Sequence, residues 1–137
     1  MYILDTNVFG DLRKGRKARP GLVALVAATD PARLHVSVIT LGEIAFGAES
    51  APDAGLRATV RRWLATQIEL FADRILSVTV DTHQSYAALR AAAKRAGAVY
   101  GDNDLWIAAQ AMEHAMTVVT RDKAFATMPG VRMLDPG

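Results

Sequence analysis

An α/β fold built on parallel strands is what this 137-residue sequence predicts. Two observations carry the expectation. Short apolar, β-branched runs alternate along the chain with longer stretches whose apolar residues recur at helical spacing. Two of those runs, at residues 2–4 and 116–119, lead into acids, Asp5 and Asp122. In open parallel sheets the carboxyl ends of strands border the crevice where ligands bind, so acids at those places are candidate site residues. The length fits one domain over residues 1–137, and 51% hydrophobic with 22% charged residues is globular composition.

Tyr2, Ile3 and Leu4 have no flanking charge, the pattern of a strand buried on both faces, and Asp5, Thr6 and Asn7 follow directly. The same three residues are also good turn formers and helix caps, so on this stretch alone a site and a cap are both open. Residues 8–12 read as a short helix, and 21–29 as a second with Pro20 near its start, where a missing N–H costs nothing. Asp30-Pro31 stops it. LHVSV at 34–38 is the second strand and runs into ITLGEIAFGAES, a helix that Ser37 or Thr40 would cap. Leu41, Ile44, Ala45 and Ala48 share its apolar face, and Glu43 borders that face.

Leu56, Val60, Trp63, Leu64, Gln67 and Phe71 mark a packing helix with Arg57, Arg61 and Arg62 beside its stripe. Residues 74–78 give a third strand. Asp81 or Thr82 caps the next helix, Ala-rich and ending at Gly97, with Lys94 and Arg95 in its last turns where cations suit the dipole. GDNDLWIAAQAMEH opens another helix with Asp102 and Asp104 at its start, and one acid there is accounted for by capping. Residues 116–119 are the fourth strand, and VRML near the end is a last, edge strand.

The chain has no cysteine, which removes disulfides, thiolate metal sites and Cys nucleophiles, and suits a reducing compartment. Its three histidines are far apart in sequence, so any metal would be held by oxygen. No basic, apolar leader opens the chain, and the longest apolar run falls short of the ~20 residues of a membrane helix, which predicts a cytoplasmic protein with no membrane partner. Net charge is only +2, but Arg13, Lys14, Arg16, Lys17 and Arg19 crowd one loop before Pro20-Gly21. Such a loop suits nucleic-acid phosphates or an acidic protein, and also suits a solvated connection.

Asp5, Glu43, Asp102 or Asp104, and Asp122 are each placed to face one crevice. If four carboxylates converge, each pair at 4 Å repels by roughly 1 to 4 kcal/mol for effective dielectrics of 80 to 20, as much as or more than the ~1 kcal/mol a cap contributes. A divalent cation justifies that arrangement. Mg²⁺ or Mn²⁺ prefers carboxylates, water and phosphate oxygens, and can activate a water for attack on a phosphodiester.

LDTNV around Asp5, SVITLGEIAFG around Glu43, DLWIAA around Asp104 and VVTRDKAF around Asp122 together resemble the PIN-domain ribonucleases, most closely the VapC and FitB toxins of bacterial toxin–antitoxin pairs. The resemblance runs from Met1 almost to the C-terminus. It implies a three-layer α/β/α fold around a parallel sheet of four to five strands, metal-dependent cleavage of RNA, a homodimer, and a small antitoxin through which operator DNA is reached. It carries Asp5, Glu43, Asp104 and Asp122 over as catalytic metal ligands for Mg²⁺ or Mn²⁺, with Thr6, Asn7 and Thr120 in support. The IAA registration selects Asp104, leaving Asp102 to cap, to reach a second ion through water, or to do nothing. The antitoxin groove it implies would be edged by Glu43, Phe46, Trp63 and the Arg57, Arg61 and Arg62 set.

Two other classes are open to the same residues. One is a regulatory protein of a FitAB-like pair, acting in an antitoxin–operator complex with weak or no nuclease activity. The other is a phosphotransfer enzyme with Asp5 as nucleophile, as in haloacid-dehalogenase-type phosphatases, although those carry a second Asp where this chain has Asn7.

Overall fold

A computed structural model describes residues 1–137. Five parallel strands form one sheet: β1 (Tyr2–Leu4), β2 (Leu34–Ser37), β3 (Ile75–Leu76), β4 (Thr117–Val119) and β5 (Arg132–Leu134), in the order β3-β2-β1-β4-β5. Six helices cover it: α1 (Thr6–Asp11), α2 (Pro20–Ala28), α3 (Val38–Ser50), α4 (Ala54–Phe71), α5 (Thr82–Ala96) and α6 (Asp102–Glu113).

The period-two pleat divides the strands between two cores. Ile3 and its β4 partner Val118 join Leu89, Leu105, Ile107, Ala108 and Phe125 on the α5/α6 side. Leu4, with partners Val36 and Val119, faces the other way and joins Val8, Phe9, Leu22, Leu64 and Phe71 on the side of α1, α2 and α4. That makes three layers, and it explains why β1 is apolar on consecutive residues: Ile3 and Leu4 are each completely buried, against opposite layers.

The strand order reverses at β1. Chain growth goes outward from β1 to β2 and β3, then crosses to β4 and β5 on the other side. The carboxyl ends of β1 and β4 therefore flank the topological switch point, where helices depart in opposite directions and a crevice is left. Asp5 and Asp122 lie on its two sides.

Several element ends differ from expectation for local reasons. α1 starts earlier, at Thr6, and α3 starts at Val38, because Ser37 is its cap, its Oγ accepting from the Ile39 N–H at 3.0 Å. Thr40 is thereby freed from capping. β3 keeps only Ile75 and Leu76 of the predicted run, pairing with Val36 and Ser37 where β2 itself ends. Leu56 of the α4 stripe is exposed, whereas Leu64 and Phe71 are buried. Asp81 precedes α5 without a side-chain capping bond, and the Thr82 hydroxyl instead accepts from the Thr79 N–H at 3.0 Å. Gly97 closes α5 in the left-handed conformation its position predicted, at φ 68°.

The C-terminal tail is pinned at α2. A Cβ on Gly21 would stand 1.7 Å from the Pro136 carbonyl oxygen, so only glycine admits the tail there. Gly21→Ala is expected to displace residues 135–137 and cost about 1–3 kcal/mol, the usual range for overpacking. Faster carboxypeptidase trimming together with a lowered urea midpoint checks it, and unchanged trimming would contradict it.

Candidate active site

Asp5 is 4% exposed, and the position that precedes α1 does not use it as a cap. Its Oδ2 instead accepts from the Thr120 hydroxyl at 2.7 Å and from the Asn7 side-chain N–H at 3.2 Å. The same Thr120 oxygen accepts from Asn7 Nδ2 at 3.1 Å and from the Asp122 N–H at 3.0 Å. One buried hydroxyl thus fixes the ends of β1 and β4 to each other. Asn7 closes the set by accepting the Arg121 N–H at 3.3 Å.

Glu43 is placed from α3. Thr6 at the start of α1 donates to its Oε1 at 2.8 Å, and the Thr6 hydroxyl lies 3.1 Å from that of Thr40, which is fully buried. Asp122 begins the short 3-10 turn Lys123–Thr127, its Oδ1 accepting from the Ala124 N–H at 2.9 Å. Of the four expected ligands, Asp104 alone receives no protein hydrogen bond. Gly101, not either acid, is the helix cap of α6, and the Asp104 carboxylate folds back toward it.

Burial first, then the charges of Asp5, Asp122 and Glu43, push Asp104 up to about 6. Asp5 is also raised, chiefly by burial and further by Glu43 and Asp122, against the opposing pull of the Thr120 hydrogen bond. The acids thus act on Asp5 and Asp104 across one crevice. They do not clasp it tightly: no three His, Asp or Glu side chains stand close enough together to hold an ion directly. The donor set nonetheless fits a hard cation, being all oxygen, and Mg²⁺ commonly keeps several waters while taking only one or two carboxylates.

Asp102 points elsewhere. It is exposed, accepts from the Tyr86 hydroxyl and lies 4.0 Å from Arg90, on the α5 side, where Tyr86 stacks on Trp106 at a centroid distance of 3.7 Å. It neither caps α6 nor joins the acid cluster.

The basic loop is a 3-10 segment, Leu12–Lys17, with a reversal at Gly15 (φ 56°). Lys14 pairs with Asp11 at 2.8 Å, while Arg13, Arg16, Lys17 and Arg19 are exposed. Asp11 is itself buried, and Lys14 first, then the Arg19 N–H at 3.3 Å and Arg121 at 2.9 Å, hold its carboxyl down at about 2 against the opposing effect of burial. Through Arg121 this anchors the loop to the segment carrying Thr120 and Asp122. Arg121 and Thr40 were not among the expected site residues, although Arg121 stands in plain view between Thr120 and Asp122 in VVTRDKAF.

On the α3/α4 side, Arg61 makes two bonds of 2.6 Å to Glu49, Arg57 donates to the Ala51 carbonyl, and Trp63 packs on Phe9 at 5.3 Å. Those contacts close the α3/α4 corner. Phe46, by contrast, is 73% exposed.

The PIN domain family model matches residues 2–131. The chain is 36% identical to VapC ribonuclease Y4jK of Sinorhizobium fredii over 99% of its own length and 97% of that protein's. It superposes on the crystal structure of FitAcB from Neisseria gonorrhoeae with a TM-score of 0.89 and 28% identity, covering 99% of this chain and 98% of that one. The structure of FitAB bound to an IR36 DNA fragment gives 0.87 and 29%, with 99% and 95% covered.

Proposed function

Because the chain belongs to the PIN-domain family, we propose that it is a ribonuclease toxin of a VapBC-type toxin–antitoxin pair, hydrolysing RNA phosphodiester bonds at the Asp5, Glu43, Asp104 and Asp122 cluster. The observation that supports this reading is geometric: Thr120 ties the Asp5 carboxylate at the end of β1 to the Asp122 N–H beyond β4, and Thr6 holds Glu43 beside them, while burial and the charges of these three acids raise Asp104. The four carboxylates would hold Mg²⁺ or Mn²⁺ with one or two of them directly and the rest through water, and the ion when bound supplies Lewis acidity toward the phosphodiester and a lowered pKa for the attacking water. Thr120 and Asn7 hold Oδ2 of Asp5, and Thr6 fixes Glu43 in the same way through Oε1. Arg13, Arg16, Lys17 and Arg19 would supply sequence-independent attraction for the strand.

The partners follow as part of the same proposal: a cognate antitoxin on the α3/α4 side, near Phe46, Trp63, Arg57, Arg61 and Arg62, a homodimer, and DNA only through the antitoxin. The likeness to FitAB bound to DNA supports that last element, and it equally favours a regulatory protein with little nuclease activity. Cleavage of labelled single-stranded RNA by antitoxin-free protein decides between them. Cleavage in Mg²⁺ or Mn²⁺ that is lost in EDTA is the expected result. Intact RNA across structured and unstructured substrates, from protein that binds Mn²⁺ in a titration, would overturn the nuclease and leave the regulator.

Thr120→Val tests the support of Asp5. Losing the hydroxyl is expected to reduce cleavage by about 10- to 100-fold, the range seen when groups orienting a ligand are removed. It also has a pH signature. The Thr120 bond lowers the Asp5 pKa, so its loss raises that pKa and moves the acid limb of the pH–rate profile to higher pH. An unmoved limb would mean that Asp5 is not the group being held.

A further inference from the structure

Beside the acid cluster, α3 and the start of α6 border an open pocket of about 540 Å³ lined by Val38, Ile39, Gly42, Glu43, Phe46 and Asn103. We propose that this pocket binds a nucleobase of the RNA strand next to the phosphate being cleaved, with Phe46 as its stacking surface and Asn103 as its polar reader. The inference rests on the ribonuclease reading above and assigns where that substrate's specificity resides.

A single exposed Phe is ordinary on a protein surface. What distinguishes Phe46 is its position. It lies one helical turn beyond Glu43, so its ring borders the same crevice that the carboxylate enters. Asn103 faces it from α6 and is the residue immediately before Asp104, so the pocket touches the acid cluster from both helices. Its lining contains no cation. A phosphate would find no cation there and would meet the Glu43 carboxylate, whereas an uncharged base finds an aromatic face, the apolar Val38 and Ile39, and an amide with both donor and acceptor.

Gly42 completes the argument. A Cβ there would meet nothing within 4 Å, so the helix leaves open space on the pocket side where most residues would intrude. The volume is within the range of small-ligand sites and exceeds a single base, leaving room for the strand to enter and continue. Stacking on an aromatic side chain accepts any base, and Asn103 would impose the preference among them.

The test is equilibrium binding of a fluorescein-labelled, mixed-sequence single-stranded 12-nucleotide RNA in Mg²⁺, using an Asp104→Asn parent so that binding is read without turnover. Phe46→Ala and Gly42→Leu, the latter filling the open space, are each expected to weaken binding roughly 5- to 100-fold, the equivalent of one lost base stack. Phe46→Tyr is expected to restore it. Replacing single nucleotides by abasic ones should weaken binding to the parent at one position and leave Phe46→Ala indifferent at that position. Equal affinity of parent, Phe46→Ala and Gly42→Leu would overturn the inference while leaving the ribonuclease intact, and would give the pocket to the protein partner. A parent that binds no RNA, together with a wild-type protein that cuts none, would remove both.

Discussion

Asp5→Asn is expected to leave the fold standing and to lower the proposed RNA cleavage by about 100- to 1,000-fold, the cost of losing one preorganised charge-stabilising group. The substitution is nearly isosteric, and Asn retains an oxygen able to accept the Thr120 hydroxyl that now donates to Asp5 at 2.7 Å. Its charge is what disappears. Because the buried Asp5 carboxyl is already raised by desolvation and by Glu43 and Asp122, a neutral amide relieves an electrostatic cost, so stability should change by no more than about 1 kcal/mol. Activity and stability are therefore expected to separate. The measurement is cleavage of labelled single-stranded RNA in Mn²⁺ by matched preparations, with a urea midpoint on each. A variant that still cuts at the wild-type rate would mean a contaminating nuclease or a site that does not include Asp5.

The expected separation depends on how the acids are held, and that is the part least legible in the sequence. The alternation of runs, the burial of Ile3 and Leu4, and acids placed after the first and fourth strands could all be read locally, because pleat and helix periodicity are local properties. So could the fact that only one of Asp102 and Asp104 faces inward: two residues apart on a helix, they are turned roughly 200° from each other. Which one does so depends on the phase of α6 against the sheet. Tyr86, on a different helix, settles the matter for Asp102 by donating to it.

The supporting bonds are further still from local pattern. Thr120 and Asp5 are 115 residues apart, Arg121 and Asp11 110, and Thr6 and Glu43 37. No spacing rule reaches across such separations. Capping logic also misassigned residues for a physical reason: Asp5, Asp102 and Asp104 are chemically able caps, but Gly101 takes the cap position of α6, and Asp5 commits its oxygen to Thr120.

The unrelieved carboxylate has a thermodynamic consequence. With no cation present, Asp104→Asn is expected to be more stable than wild type at pH 7.5. Asp104 ionises at about 6 in the folded chain against 3.8 for its ordinary value, so between those values the native state holds more protons than the unfolded one. Native stability therefore falls as pH rises through that window and stays reduced above it, while the Asn variant escapes this loss. The full shift would be worth about 3 kcal/mol, but Asp104 is only half-buried and solvent screens it, so a gain of about 1–2 kcal/mol is expected. Well below 3.8, toward pH 3, the two proteins should converge, since Asp104 is then largely protonated in both states. Urea unfolding in EDTA at pH 3 and 7.5 measures this, and a variant no more stable at pH 7.5 than at pH 3, relative to wild type, would contradict the raised ionisation of Asp104. Adding Mg²⁺ or Mn²⁺ should reverse the order, because only the protein that binds the cation gains from mass action. A charge on Asp104 that lowers stability without a cation and raises it with one is the crossover expected of a cation ligand, and its absence would speak against Asp104 in that role.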